Sequence, residues 1–215
     1  MKSREVPLVI TSIGNPKEIV EEIHRYGGLV FHDVTTLHHA RKAAQAGVDG
    51  LILVCAGAGG HGGALNPFAF VEQVRQFFDG TIVLAGSIVT GRAVRAAVTM
   101  GADLAYVGTR FIATKEALGP EAYKDMLVSE ATDNVVYTDA ISGLNANFMA
   151  SSLMDNGLDP KNLPKPKAQF QPDLPDGLTA WRDIWSAGQG VGLINDIPSV
   201  RTLVERMTAD YKAAE

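Results

Sequence analysis

The stretch Leu51-Ile52-Leu53-Val54-Cys55-Ala56-Gly57-Ala58-Gly59-Gly60-His61-Gly62-Gly63 decides the fold. Its first six residues are all apolar, the pattern of a strand covered on both faces, as in a parallel sheet. Five of the next seven are glycine, around a single histidine. So many glycines weaken a fold unless the backbone must approach something closely or take positive φ. An imidazole at the C-terminal end of a buried parallel strand stands where α/β folds build active sites.

The flanks repeat the unit. Upstream, Pro7–Ile10 reads as a short strand, Asn15 as an N-cap with Pro16 at the first helical position, and Ile19, Val20 and Ile23 as one helix face that stops at Gly27-Gly28. Leu29-Val30-Phe31 is a second strand, ending in the polar cluster His32-Asp33-Val34-Thr35-Thr36, and a helix runs from Leu37 to Ala46. Downstream, Pro67 opens a helix with Phe70, Val71, Val74, Phe77 and Phe78 apolar, followed by the strand Thr81–Ala85. Thr90-Gly91 starts a helix with Ala93, Val94, Ala97 and Val98 on one stripe, and Leu104–Val107 is the next strand. Five strands alternating with four helices predict an α/β fold of parallel β/α units.

Two successive strands end in small residues, Gly86-Ser87 and Gly108-Thr109. Each end leaves backbone N–H groups and a hydroxyl beside a helix start, which favours phosphate. Such a pair matches the phosphate site after the last two strands of a (β/α)8 barrel.

Beyond Thr109 the rhythm lapses. Glu121–Glu130 reads as a helix with Ala122, Met126 and Leu127 facing inward, Val135–Tyr137 as a short strand, and Asn147–Asn156 as a helix. Lys161–Pro175 holds four prolines and reads as an irregular connection. Trp181–Ser186 reads as helix leading into the second glycine cluster, Ala187-Gly188-Gln189-Gly190-Val191-Gly192, a lid or wall of the site. Ser199 caps a last helix with Val200, Leu203, Val204 and Met207 apolar.

Composition narrows the function. A net charge of −5 with no basic block argues against nucleic acid or an anionic membrane surface. The one cysteine, Cys55, lies in a buried strand and reads as a core residue, not a nucleophile. No apolar run reaches the length of a membrane span, and no signal-like segment opens the chain, which predicts a cytoplasmic protein. No metal constellation is expected: His38 and His39 are adjacent on a helix and point apart, and His24 stands near a helix C-terminus. Arg110 and Lys124 could serve as phosphate partners but read rather as surface charges.

Four motifs in order then carry a resemblance: Gly57–Gly63, Ala85-Gly86-Ser87-Ile88, Gly101–Phe111 and Ala187–Gly192. Together they resemble the nitronate monooxygenase (2-nitropropane dioxygenase) family over nearly the whole chain. The resemblance implies an FMN-dependent TIM barrel, here a partial barrel of about five strands with a C-terminal helical appendage. Residues 1–115 would be barrel units carrying the FMN site, and 116–215 the appendage with a barrel helix. It implies that His61 acts on the substrate beside the flavin. Gly86, Ser87, Gly108 and Thr109 would bind the FMN phosphate, Gly59 and Gly60 would lie against the flavin, and Asp33 would approach the isoalloxazine edge.

Counting back from the phosphate strands as the seventh and eighth, Pro7–Ile10 corresponds to about the fourth, so the chain resembles the C-terminal part of a member without its first strands. Five strands cannot close a barrel and leave two sheet edges, which a homodimer or another partner would cover. The expected chemistry is oxidation of an alkyl nitronate or nitroalkane with dioxygen. One alternative is NAD(P)H-dependent reduction of quinones or enoyl thioesters on the same FMN cradle. The other is a non-catalytic half-barrel.

Overall fold

In a computed structural model of the chain, which describes residues 5–214, all five expected parallel strands form. They are β1 (Leu8–Thr11), β2 (Leu29–Val34), β3 (Gly50–Val54), β5 (Thr81–Ala85) and β6 (Leu104–Tyr106), in the order β1-β2-β3-β5-β6. The remaining strands are β4 (Gly60–His61), β7 (Val135–Thr138) and β8 (Ala146–Met149). Internal contacts divide the chain into two units. The first holds the chain up to Ala56 with Ala64–Ala85 and Ala96–Tyr106; the second holds Gly57–Gly63, Gly86–Arg95 and Val107 onward.

The first unit is the parallel sheet with helices α1 (Lys17–His24), α2 (Leu37–Gln45) and α3 (Pro67–Arg75). Its central strand β3 is fully apolar because it is paired on both sides, Ile52 lying opposite Asp33 on β2 and Val83 on β5. Each helix gives the core a narrow stripe: Val20 and Ile23, Ala40 and Ala43, then Phe70, Val71 and Val74. Three boundaries differ from expectation. Pro16, not Asn15, is the N-cap of α1, while Asn15 Oδ1 accepts from the Lys17 amide at 3.1 Å as a turn bond. Strand β2 runs on to Val34, so the His32-Asp33 cluster lies within it, since pairing with β3 continues through Val34. Helix α3 ends at Arg75, leaving Phe77 and Phe78 beyond it.

Helix α4 (Gly91–Thr99) spans the division between the units. The second unit otherwise contains α5 (Thr109–Ile112), α6 (Glu121–Ser129), α7 (Ala150–Asp155), α8 (Val200–Ala213) and an antiparallel ribbon in the order β4-β8-β7. Two apolar clusters support it, one around Leu127, Met149 and Val191, the other around Ile141, Phe148 and Ile184. Ser199 caps α8 as expected, accepting from the Thr202 amide.

One expected helix is shortened here and another does not form. Ala146–Met149 is a strand, because it pairs with β4 on one side and β7 on the other; helix resumes only at Ala150. Residues 181–186 form no helix, and Ala180 instead bridges to Ile184. On α6, Ala122 is exposed and the inward positions go to Lys124 and Leu127.

Candidate active site

His61 does not sit on a loose glycine turn. Gly60 and His61 pair with Asn147 and Ala146 as the edge of the antiparallel ribbon. The Gly62 amide donates to Asn145 O at 3.3 Å, Tyr137 Oη donates to Gly62 O at 3.0 Å, and Asn147 Nδ2 donates to Ala58 O at 2.7 Å. That last bond orients the Asn147 amide, leaving its buried Oδ1 without a donor among the described residues.

Most of the glycines serve close packing within the protein. The Gln189 amide donates to Gly57 O at 2.9 Å, and the Gly188 amide donates to Thr109 Oγ1 at 3.0 Å. A Cβ on Gly57 would collide with Ser87 Oγ, and one on Gly59 would lie 2.8 Å from both Gly188 N and Thr109 Oγ1. A Cβ on Gly188 would in turn meet Gly57 O at 2.7 Å. The two glycine clusters therefore interlock, and they bring Ser87 and Thr109 to the histidine loop. Gly60 and Gly108 differ: the first has only Trp181 at 4.0 Å, and the second has nothing within 4 Å. Gly86 has φ 129°, and Ser87, a non-glycine, is held at φ 56°. That left-handed conformation costs about 1–2 kcal/mol and tends to persist where function uses it.

His61 Nε2 lies 3.1 Å from Ser142 Oγ, which donates to Leu144 O at 2.9 Å. The Trp181 ring meets the imidazole edge-to-face, with centroids 5.0 Å apart at 82°, and Phe148 packs against Trp181 at 4.9 Å. Ser142 and Trp181 also line a cavity of about 460 Å³ whose other walls include Ile141, Leu174, Leu178 and Ala180. Partial desolvation lowers the His61 pKa below its ordinary value, which favours the neutral ring. A neutral imidazole beside a cavity of mixed polar and apolar lining can accept a proton or donate a hydrogen bond.

Asp33 belongs to the first unit. Its Oδ1 is buried with no partner among the described residues, and burial raises its pKa against a hydrogen bond from Ser12. Next to it, His32 Nδ1 lies 2.7 Å from Thr11 Oγ1. Cys55 is fully buried, and its thiol is pushed up to about 12, so it is no nucleophile at neutral pH. Arg110 and Lys124 are not surface charges. Arg110 is buried and donates to Asp196 Oδ1 at 2.7 Å and to Ala113 O at 3.1 Å; Lys124 is buried and donates to Glu121 at 3.0 Å. Among the described residues no cluster of His, Cys, Asp or Glu could hold a metal ion, and no helix is long and apolar enough to cross a membrane.

The residues missed in the sequence are Ser142, Asn147 and Trp181. Ser142 and Asn147 lie in a stretch with no motif near the histidine loop, and Asn147 was hidden in an expected helix. Trp181 had one available signal, a tryptophan just before the second glycine cluster.

The nitronate monooxygenase family model matches residues 1–210. A nitronate monooxygenase of Paraburkholderia phytofirmans is 32% identical over 97% of this chain and 62% of its own length. A (3aS,4S,5R,7aS)-5-hydroxy-7a-methyl-1-oxo-octahydro-1H-indene-4-carboxyl-CoA dehydrogenase of Rhodococcus jostii is 26% identical over 90% of this chain and 67% of its own length. The solved nitroalkane oxidase of Streptomyces ansochromogenes, a TIM-barrel enzyme, superposes with TM-score 0.77 at 26% identity, covering 97% of this chain and 65% of that one. The chain spans about three fifths of the length of the curated relatives it matches first. With the family model covering residues 1–210 and a relative 32% identical over 97% of the chain, the chain belongs to the nitronate monooxygenase family.

Proposed function

We propose that the chain carries the catalytic face of an FMN-dependent oxidoreductase that oxidises alkyl nitronates, or their parent nitroalkanes, with dioxygen as electron acceptor. The observation that carries this reading is the imidazole of His61, anchored on a ribbon edge, held by Ser142 and walled by Trp181, two residues that also line the adjacent cavity.

The second unit's residues fit a flavin nucleotide. Gly108 leaves open space at its α-carbon, and the hydroxyls of Ser87 and Thr109 gather at the same loop. Asn147 Oδ1 is a buried acceptor that lacks a donor, and a flavin ring presents N–H. Gly86, Ser87, Gly108 and Thr109 would hold the phosphate, with Gly59 and Gly60 nearer the ring. When bound, FMN supplies the two-electron redox step and the reactivity toward dioxygen. His61 takes the acidic α-proton of a nitroalkane and, once protonated, donates to a nitronate oxygen. The apolar cavity walls Ile141, Leu174 and Leu178 receive the alkyl group.

The test is the visible spectrum of desalted protein after added FMN, followed by anaerobic reduction. Bleaching by propyl nitronate alone supports nitronate oxidation, and His61→Ala should slow it about 100-fold or more with FMN still bound. Bleaching that requires NAD(P)H would replace nitronate oxidation with NAD(P)H-driven reduction. Failure to take up FMN would reject the cofactor assignment for this chain.

A further inference from the structure

We propose that Ser142 is a positioning residue that fixes the tautomer of His61, making Nδ1 the atom that accepts the proton. The inference rests on reading His61 as the proton-handling group.

A serine hydroxyl has one proton and two lone pairs, whereas a carbonyl can only accept. Ser142 Oγ stands 2.9 Å from Leu144 O, so its proton goes there. The same Oγ, 3.1 Å from His61 Nε2, can then only accept. Nε2 must therefore carry a hydrogen, and in the neutral ring Nδ1 carries the lone pair. With the other tautomer, the hydroxyl proton would turn to Nε2. Two oxygens with only lone pairs would then face each other at 2.9 Å.

The chain Nε2–H to Ser142 Oγ–H to Leu144 O is also unchanged when the ring is protonated. Uptake and release of a proton leave this side of the imidazole in place and alter only Nδ1. Nδ1 has no hydrogen-bond partner among the described residues, so it is free to meet a substrate proton. The backbone carbonyl at the end of the chain cannot titrate, which makes the anchor independent of pH. Trp181 adds orientation of the ring plane without offering a competing acceptor, since an indole N–H can only donate.

The test uses the full chain labelled with 15N at histidine, near pH 8, read by the ring nitrogen shifts and by the Nε2 proton itself. The expected result for His61 is a protonated-type Nε2, an unprotonated-type Nδ1, and an Nε2 proton slow enough in exchange to observe. Ser142→Ala should shift the ring nitrogens toward a mixture of tautomers and lose that proton signal by at least tenfold faster exchange. Ser142→Thr, which keeps the hydroxyl, should restore both. In FMN-loaded protein, Ser142→Ala should lower kcat about tenfold with KM little changed, and Thr should recover it. An Nδ1-protonated ring in the wild type, or Ser142→Ala with unaltered shifts and exchange, overturns the inference. The expected NMR pattern together with full activity of His61→Ala would instead overturn the reading of His61 and leave the tautomer assignment standing.

Discussion

Replacing Gly59 with alanine tests the interlock of the two glycine clusters. The added Cβ would lie 2.8 Å from Gly188 N, 2.8 Å from Thr109 Oγ1 and 3.0 Å from Ala187 C. Two of these atoms are backbone, so no flexible side chain can swing away. Overpacking of this kind costs about 1–3 kcal/mol. Separating the strands of chain would also stretch the Gly188–Thr109 hydrogen bond, worth about 1 kcal/mol. The sum, about 2–4 kcal/mol, is a large share of a stability of about 5–15 kcal/mol. For a chain of this length it corresponds to a fall in Tm of about 4–15 °C. The assay is thermal unfolding followed by circular dichroism, with Gly108→Ala as control. An unchanged Tm for Gly59→Ala would refute the idea that the histidine loop is packed against Ala187-Gly188.

Gly108→Ala adds a methyl where nothing lies within 4 Å, at a φ of −106° that alanine accepts, so Tm should move by about 1 °C or less. The same methyl crowds the proposed phosphate cradle, so FMN affinity should fall at least tenfold; equal affinity by fluorescence titration would place the phosphate elsewhere. Asp103 gives a pH test. Burial pushes its pKa up, but the Ile82 amide at 2.7 Å and the Arg75 guanidinium at 2.5 Å outweigh this and hold it below the ordinary carboxylate value. Its contribution is therefore complete above about pH 4 and is lost as pH falls through the lowered folded value. Asp103→Asn should unfold at lower temperature than wild type at pH 7, with the gap narrowing below pH 4; a constant gap would rule out this linkage. Asp196→Ala leaves the buried Arg110 guanidinium without its carboxylate and should cost about 2–4 kcal/mol by urea unfolding, whereas a change under 1 kcal/mol would show the charge to be solvated.

The parallel sheet was legible because β3 and β5 at its centre are apolar runs followed closely by glycine. Thr81–Ala85 matches its expected bounds residue for residue, since Gly80 and Gly86 mark both ends and burial on both faces leaves no alternation to misread. The second unit was not legible in the same way. Ala146–Met149 is apolar and runs directly into a true helix, and only its pairing with β4 and β7, distant in sequence, makes it a strand. Arg110 looked like a surface charge because its carboxylate partner, Asp196, lies far along the chain. His61 was marked by its glycine setting. Ser142 and Trp181 were not, because a serine or tryptophan in irregular chain has no spacing that points to a histidine 80 or more residues away.

The bond between the Gln189 amide and Gly57 O joins segments made about 130 residues apart. At a synthesis rate of roughly 5–20 residues per second, the glycine loop leaves the ribosome about 7–25 s before its partner exists. During that interval Gly57–Gly63 has neither the Ala187–Gly190 wall nor, at first, the β8 ladder, which the chain supplies only at Ala146–Met149. The first unit's local β/α units can pair as they emerge, since low sequence separation favours fast closure. The imidazole therefore acquires its fixed place late, and a nascent or C-terminally clipped chain would hold a formed sheet with the chemistry still unassembled.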